Sequence, residues 1–209
     1  MSKQRDATTR NDSTDQKDSE EFKDSKEHDG QTFQATDSVS LEQGEFTHCE
    51  FIGLQLSHQS LAHSSFTDCV FSKCDLSNSV FRSARFINVK FSDCKLLGIN
   101  WALARELRWP QFHDCNLSYS SFLGLDLRKG VLKNCKLEEV NFVRANLSDA
   151  SADGSLFTRA DFTGANLSGA DFRTARSYSI HPVHTKLTKA KFSLPEAMSL
   201  LTGFGIELE

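Results

Sequence analysis

The sequence predicts an all-β solenoid: a chain wound into a square coil, five residues to a side, with coils stacked along one axis. Three observations carry this reading. A large apolar residue returns at every fifth position from Leu41 to Trp101, and again from Phe112 to Phe172. A second series, two positions earlier, keeps the same period with mostly small residues. Phe is in large excess, 17 of 209 residues against two Trp, two Tyr and three Pro, and 14 of the 17 lie on the apolar frame or its continuation at Phe192.

Period five is neither the 3.6 of a helix nor the 2.0 of a flat strand. In the frame, 25 of 26 positions are large and apolar, Ala152 being the exception, so the pattern is structural. A chain that turns a right angle every five residues points one central residue of each side inward. Four sides, about 20 residues, then close a coil, and coils stack at the strand spacing of about 4.8 Å. One coil cannot bury its own apolar face, so only the stack is stable.

The elements follow in chain order. Residues 1–36 hold nine acidic and six basic side chains and only three large apolar ones, Met1, Phe22 and Phe33. Such a segment buries too little to offset its ordering entropy, and is expected to be a disordered polar tail. Residues 37–192 form the coiled region. Its frame places Phe66, Phe71, Leu76, Phe81, Phe86 and Phe91 in the core, with Cys69, Cys74 and Cys94 in the small inward series.

All six cysteines occupy that small series, where a thiol packs as a small hydrophobe. Cys49/Cys69, Cys74/Cys94 and Cys115/Cys135 are each 20 apart, so each pair is expected in adjacent coils. Their parallel Cβ directions disfavour a disulfide, and without a secretion signal they are expected to stay reduced. No spacing supports a zinc site, and no cofactor is expected.

The frame slips at residues 102–111, ALARELRWPQ. Eleven residues separate Trp101 from Phe112, where ten would keep register. A bulge or loop is expected there, presenting Arg105, Glu106, Arg108 and Trp109. Arg and Trp are common interface anchors, so these four are the candidate partner contacts.

Residues 193–209 read as a helix and a short strand. Ser193-Leu194-Pro195-Glu196 fits a capping box, with Ser193 as N-cap and Glu196 reaching back. Gly203 suits a helix stop. Phe204 to Glu209 then alternates like a strand. Leu194, Met198, Leu201, Phe204 and Ile206 are more apolar surface than an end cap needs, and a homodimer seam is expected on them.

Composition also excludes. The start is too polar for a signal peptide and no apolar run approaches membrane length, so a cytoplasmic protein without membrane contact is expected. The seven His do not pair with a plausible nucleophile, no nucleotide or hydrolase fingerprint is present, and a filled rod has no substrate pocket, so an enzyme is not expected. No basic stripe argues for direct nucleic-acid binding. Residues 37–176 carry 16 acidic and 15 basic side chains, a balance of −1, so long-range steering by this region is weak.

ANLSD (145–149), ADFTG (160–164), ANLSG (165–169) and ADFRT (170–174) resemble the consensus of the pentapeptide-repeat family, over about residues 39–192. The resemblance implies a right-handed quadrilateral β-helix. KLLGINW (95–101), CNLSYSSFLGL (115–125) and KAKFSLPEAMSLLTGFGIELE (189–209) further resemble the branch that confers albicidin resistance and microcin B17 immunity, and more distantly the quinolone-resistance proteins. That resemblance implies a bacterial, dimeric, DNA-like rod that binds DNA gyrase and protects it from poisons of its cleavage complex. An interaction scaffold with an unrelated partner is the alternative, since these repeats serve many roles.

Overall fold

A computed structural model describes residues 27–36, 40–204 and 206. The expectations for residues 1–26, and for Gly205 and Glu207 to Glu209 of the short strand, lie outside the described residues.

The chain is a four-walled parallel β-helix. One wall is the sheet β1 (Glu27–Asp29), β3 (Glu45–Thr47), β5 (Ser65–Thr67), β7 (Arg85–Ile87) and β9 (Glu106–Arg108). The next wall is the sheet β2 (Thr32–Gln34), β4 (Glu50–Ile52), β6 (Val70–Ser72), β8 (Lys90–Ser92), β10 (Gln111–His113) and β11 (Val131–Lys133). The other two walls, and the later coils, are held by single parallel bridges such as Gln55↔Asp75, Asp75↔Lys95 and Lys136↔Leu156. Each side is too short to pair beyond its central residues before the chain turns.

Register shows why five residues make a side. Phe46 pairs with Phe66 and Phe66 with Phe86, and on the next wall Phe51 pairs with Phe71 and Phe71 with Phe91. Like residues therefore stack coil upon coil. The Phe51 and Phe71 rings lie 4.4 Å apart and nearly parallel, and Phe66 and Phe86 are 5.1 Å apart. Offset stacks of this kind add to the burial of each ring. Phe66, Phe71, Leu76, Phe81, Phe86, Phe91, Cys69, Cys74 and Cys94 are all buried in this core.

All six thiols are free and buried. The Cys94 thiol faces the carbonyl of Phe71 at 3.4 Å, and that of Cys74 faces the carbonyl of Phe51 at 3.3 Å. Contact with the thiol of the following coil, Cys94 for Cys74 and Cys115 for Cys94, and then burial, raise both groups above the ordinary thiol range.

The first coil begins earlier than composition indicates. The boundary at residue 36 falls beyond β1 and β2, which pair with β3 and β4. Phe33 is buried and stacks on Phe51 at 5.1 Å, and His28 stacks on Phe46 at 4.9 Å. The signal was His28 and Phe33 at a five-residue spacing. It was obscured because this coil is short: Phe33 to Phe51 is a step of 18 residues rather than 20.

The C-terminal segment also departs from its expected capping. Glu196–Met198 form a single 3-10 turn that runs into helix α1 (Ser199–Thr202). Pro195, not Ser193, is the N-cap, and no side chain caps the turn. Glu196 instead accepts from Arg176 Nη1 at 2.7 Å, so it ties the segment to the last coils rather than reaching back. Gly203 ends α1 in a right-handed conformation, φ −65°. Its value is space: a Cβ there would lie 2.5 Å from Pro182 Cδ.

Candidate protein-docking site at a break in one wall

The frame slip is not a loop. Trp101–Leu103 make a 3-10 turn, with Asn100 Oδ1 accepting from the Ala102 N–H at 3.2 Å. The extra residue is then absorbed as a bulge, where the Ala84 carbonyl accepts from both Arg105 N at 2.8 Å and Glu106 N at 3.4 Å. Leu107 takes the inward position beside Phe86, and the frame resumes one residue late.

This bulge disturbs the ladders on both sides of its coil. Among the described residues no bridge links Val80 to Asn100 below it, and none links β9 to Asp126 above it. Elsewhere the later coils on the β9 wall are bridged, as Asp126↔Asn146 and Asn146↔Asn166. The neighbouring wall stays closed at the same level, Gln111 pairing with Val131.

The gap above β9 opens into a cavity of about 660 Å³, lined by Arg105 to Trp109, Leu125, Asp126, Arg128 and Lys129. Equivalent positions of other coils donate backbone bonds to the next coil, as Leu127 N does to Asn146 O and Lys129 N to Ser148 O. The N–H groups of Leu107, Trp109 and Asp126 have no such partner among the described residues. The wall therefore ends, for one level, in an unpaired strand edge.

Around that edge the four predicted contacts come together. Arg108 Nη2 donates to Glu106 Oε1 at 2.6 Å, and Arg85 Nη2 donates to Glu106 Oε2 at 3.2 Å. The Arg108 guanidinium also lies 5.6 Å from the centre of the Trp109 ring. Trp109 sits at a left-handed corner, φ 52°, and is 50 % exposed. Arg105 is exposed and has no ion pair among the described residues.

Sequence reasoning did not group Asp126, Arg128 and Lys129 with this cluster. They are one coil later and share the gap only because that wall opens. Arg128 grips Asp126 with two bonds, Nε to Oδ1 at 2.9 Å and Nη2 to Oδ2 at 2.7 Å. That pairing, aided by Arg108, holds the Asp126 carboxyl below its usual range. The ionisable lining residues are four cations (Arg105, Arg108, Arg128, Lys129) and two anions (Glu106, Asp126), a balance of +2.

The second predicted surface is the C-terminal end. Leu194, Met198, Leu201, Phe204 and Ile206 are all exposed, Leu194 by 76 % and Phe204 by 57 %. Val183, which the frame did not single out and which lies eleven residues before Leu194, is also exposed, at 65 %. Leu200 points the other way and packs on the core. Among the described residues no group of His, Cys, Asp and Glu could hold a metal, and no helix is long and apolar enough to cross a membrane.

Comparisons with known proteins agree with this architecture. Solved structures of QnrB1, a plasmid-mediated fluoroquinolone resistance protein, are similar in fold. The full-length form is 18 % identical, with a TM-score of 0.58, covering 86 % of this chain and all of QnrB1. A trypsin-treated form is 18 % identical, with a TM-score of 0.59 and 88 % of this chain covered. Comparison with curated proteins found no match. A family model described as a pentapeptide repeat region matches residues 39–105 and 64–142, and a model of pentapeptide repeats, eight copies, matches 141–176. With matches running through every wall of the coil, the chain belongs to the pentapeptide-repeat family.

Proposed function

We infer that this chain is a non-enzymatic topoisomerase-protection protein. It binds DNA gyrase as a rod with the outline of B-form DNA and relieves trapping of that enzyme by a gyrase poison, giving antibiotic resistance or self-immunity. The observation that carries this is the likeness in fold to QnrB1, a fluoroquinolone resistance protein, over the whole of that chain. The resemblance of residues 189–209 to the albicidin and microcin B17 branch supports it.

Two surfaces take roles in this reading. The exposed apolar side chains of Leu194, Met198, Leu201, Phe204 and Ile206 form a homodimer seam, which doubles the rod. Arg105, Glu106, Arg108 and Trp109 contact the enzyme. A saddle that binds DNA is basic, so the cationic cluster faces another part of gyrase.

The test is gyrase supercoiling with purified protein, titrated with and without albicidin, microcin B17 and a quinolone. Rescue from one poison, at protein levels that leave uninhibited gyrase active, is the expected result. No effect in any reaction would sink the gyrase reading. A second reading, an interaction scaffold for another partner, draws on the near-neutral repeat region, 16 acidic against 15 basic side chains over residues 37–176.

A further inference from the structure

We propose that the gap above β9 is a docking site for an extended, carboxylate-bearing peptide segment of a partner protein, which pairs with the open edge and completes the interrupted wall. The proposal rests on the Arg105–Trp109 cluster as a partner surface, as above, and does not depend on whether gyrase or another protein brings the segment.

Three features of the gap specify the occupant. Its floor is backbone: Leu107, Trp109 and Asp126 offer N–H groups, and Asp126 and Arg128 offer carbonyls, of the kind that closed levels of the wall use for coil-to-coil bonds, with no backbone partner here among the described residues. An unpaired edge of this kind is a template for another strand, and main-chain pairing is a standard route to peptide capture. Its rim is cationic, a balance of +2, and Arg105 and Lys129 have no ion pair among the described residues. Its outer corner is Trp109, held against Arg108 and half exposed, a rigid apolar anchor beside the charged rim.

A nucleic acid would satisfy the rim but not the floor. Phosphodiester strands have no repeating donor and acceptor pair to match a strand edge, whereas a peptide brings both at the strand repeat. A neutral apolar strand would satisfy the floor but leave the rim cations unmatched. The cavity of about 660 Å³ is within the size of common ligand sites.

The probe is an acetylated octapeptide of alternating Val and Glu, titrated into the full chain. Trp109 fluorescence is the readout, because the other indole, Trp101, is fully buried. The expected result is a saturable blue shift, lost at least tenfold in affinity when alternate peptide amides are N-methylated, which removes donors but no charge. Replacing Glu by Gln in the peptide should also weaken binding at least tenfold. The double variant Arg105→Glu/Arg108→Glu should bind at least tenfold more weakly, with its thermal unfolding unchanged, while Arg82→Glu, outside the gap, binds as the parent does.

Several results would overturn the proposal. One is equal binding of the N-methylated peptide, which would reduce the site to a charge patch. Another is binding of a thymidine 12-mer as tight as that of the peptide. A third is absence of any peptide binding. A fourth is self-association that the double variant abolishes, which would make a second copy the occupant. No topoisomerase is present in this assay. Its failure leaves gyrase protection standing, and a failure of protection leaves a measured peptide site standing.

Discussion

Replacing Phe71 by Ala tests whether the ring stacks carry the rod. Phe71 is fully buried and sits in mid-stack, 4.4 Å from Phe51 below and 5.1 Å from Phe91 above, with the Phe66 ring edge-on at 5.3 Å. Truncation removes the ring's transfer energy and leaves a cavity that the fixed strand spacing cannot close. The cost for a buried Phe is about 3–5 kcal/mol. The end of the stack is the internal control. Phe192 is only partly buried and touches Phe172 at 5.8 Å and Tyr178 at 5.6 Å, both tilted. Phe192→Ala should therefore cost about 1–2 kcal/mol, the low end for a half-exposed apolar side chain. Urea unfolding followed by circular dichroism measures both. Because each coil contacts only its neighbours, the Phe71 variant should also broaden or split the transition, as the two ends uncouple. Equal losses for the two variants, or a loss under about 1.5 kcal/mol at Phe71, would refute the stacked-ring account.

Three further outcomes are expected. Trp109→Ala should leave stability within about 0.5 kcal/mol, since half the indole is already in water, yet weaken partner binding, read by chemical unfolding and by calorimetric titration of the peptide, which needs no indole. Burial raises the Cys135 thiol to about 12 and the Cys69 thiol to about 11, from 9.0. A raised folded-state value stabilises fully below the unfolded value and is lost as pH rises through the folded one. Stability should accordingly fall between about pH 9 and 12, and an alkylating agent at pH 8 should label the cysteines only after unfolding. Leu201→Glu/Phe204→Glu should turn a dimer into a monomer by light scattering and remove the concentration dependence of the melting temperature, while the monomer itself loses little, because both side chains are exposed in the single chain.

The fold was legible because its repeat unit is local. Phe66, Phe71 and Leu76 announce three successive sides, and nothing distant is needed to know which residue faces inward. The first coil was harder: with an 18-residue step, His28 and Phe33 fall out of phase with Phe46 and Phe51, and their acidic neighbours dominate the composition. The site was half legible. An eleven-residue spacing located the interruption, but which wall opens depends on how backbone bonds redistribute. Ala84 accepts two donors, Leu107 donates none to the next coil, and no local pattern encodes that exchange. Asp126 and Lys129 join the site only through the third dimension. The capping box misled for a related reason, since Glu196 had a better partner in Arg176, 20 residues away and one coil below.

The 20-residue register has a consequence for length. Each coil returns the chain to the same wall, as Phe46 to Phe66 to Phe86 shows. Residue number therefore acts as an angle as well as a height. Excising one whole coil would shorten the rod by about 4.8 Å and leave both ends facing as before. Excising five residues would instead swing everything beyond the cut by about a quarter turn. Relatives built on this plan can change reach in whole coils at little cost, while a change in phase re-aims one end against the other. The single extra residue before Leu107 escapes that penalty because the bulge absorbs it within one side, so the two ends of the rod keep a common azimuth.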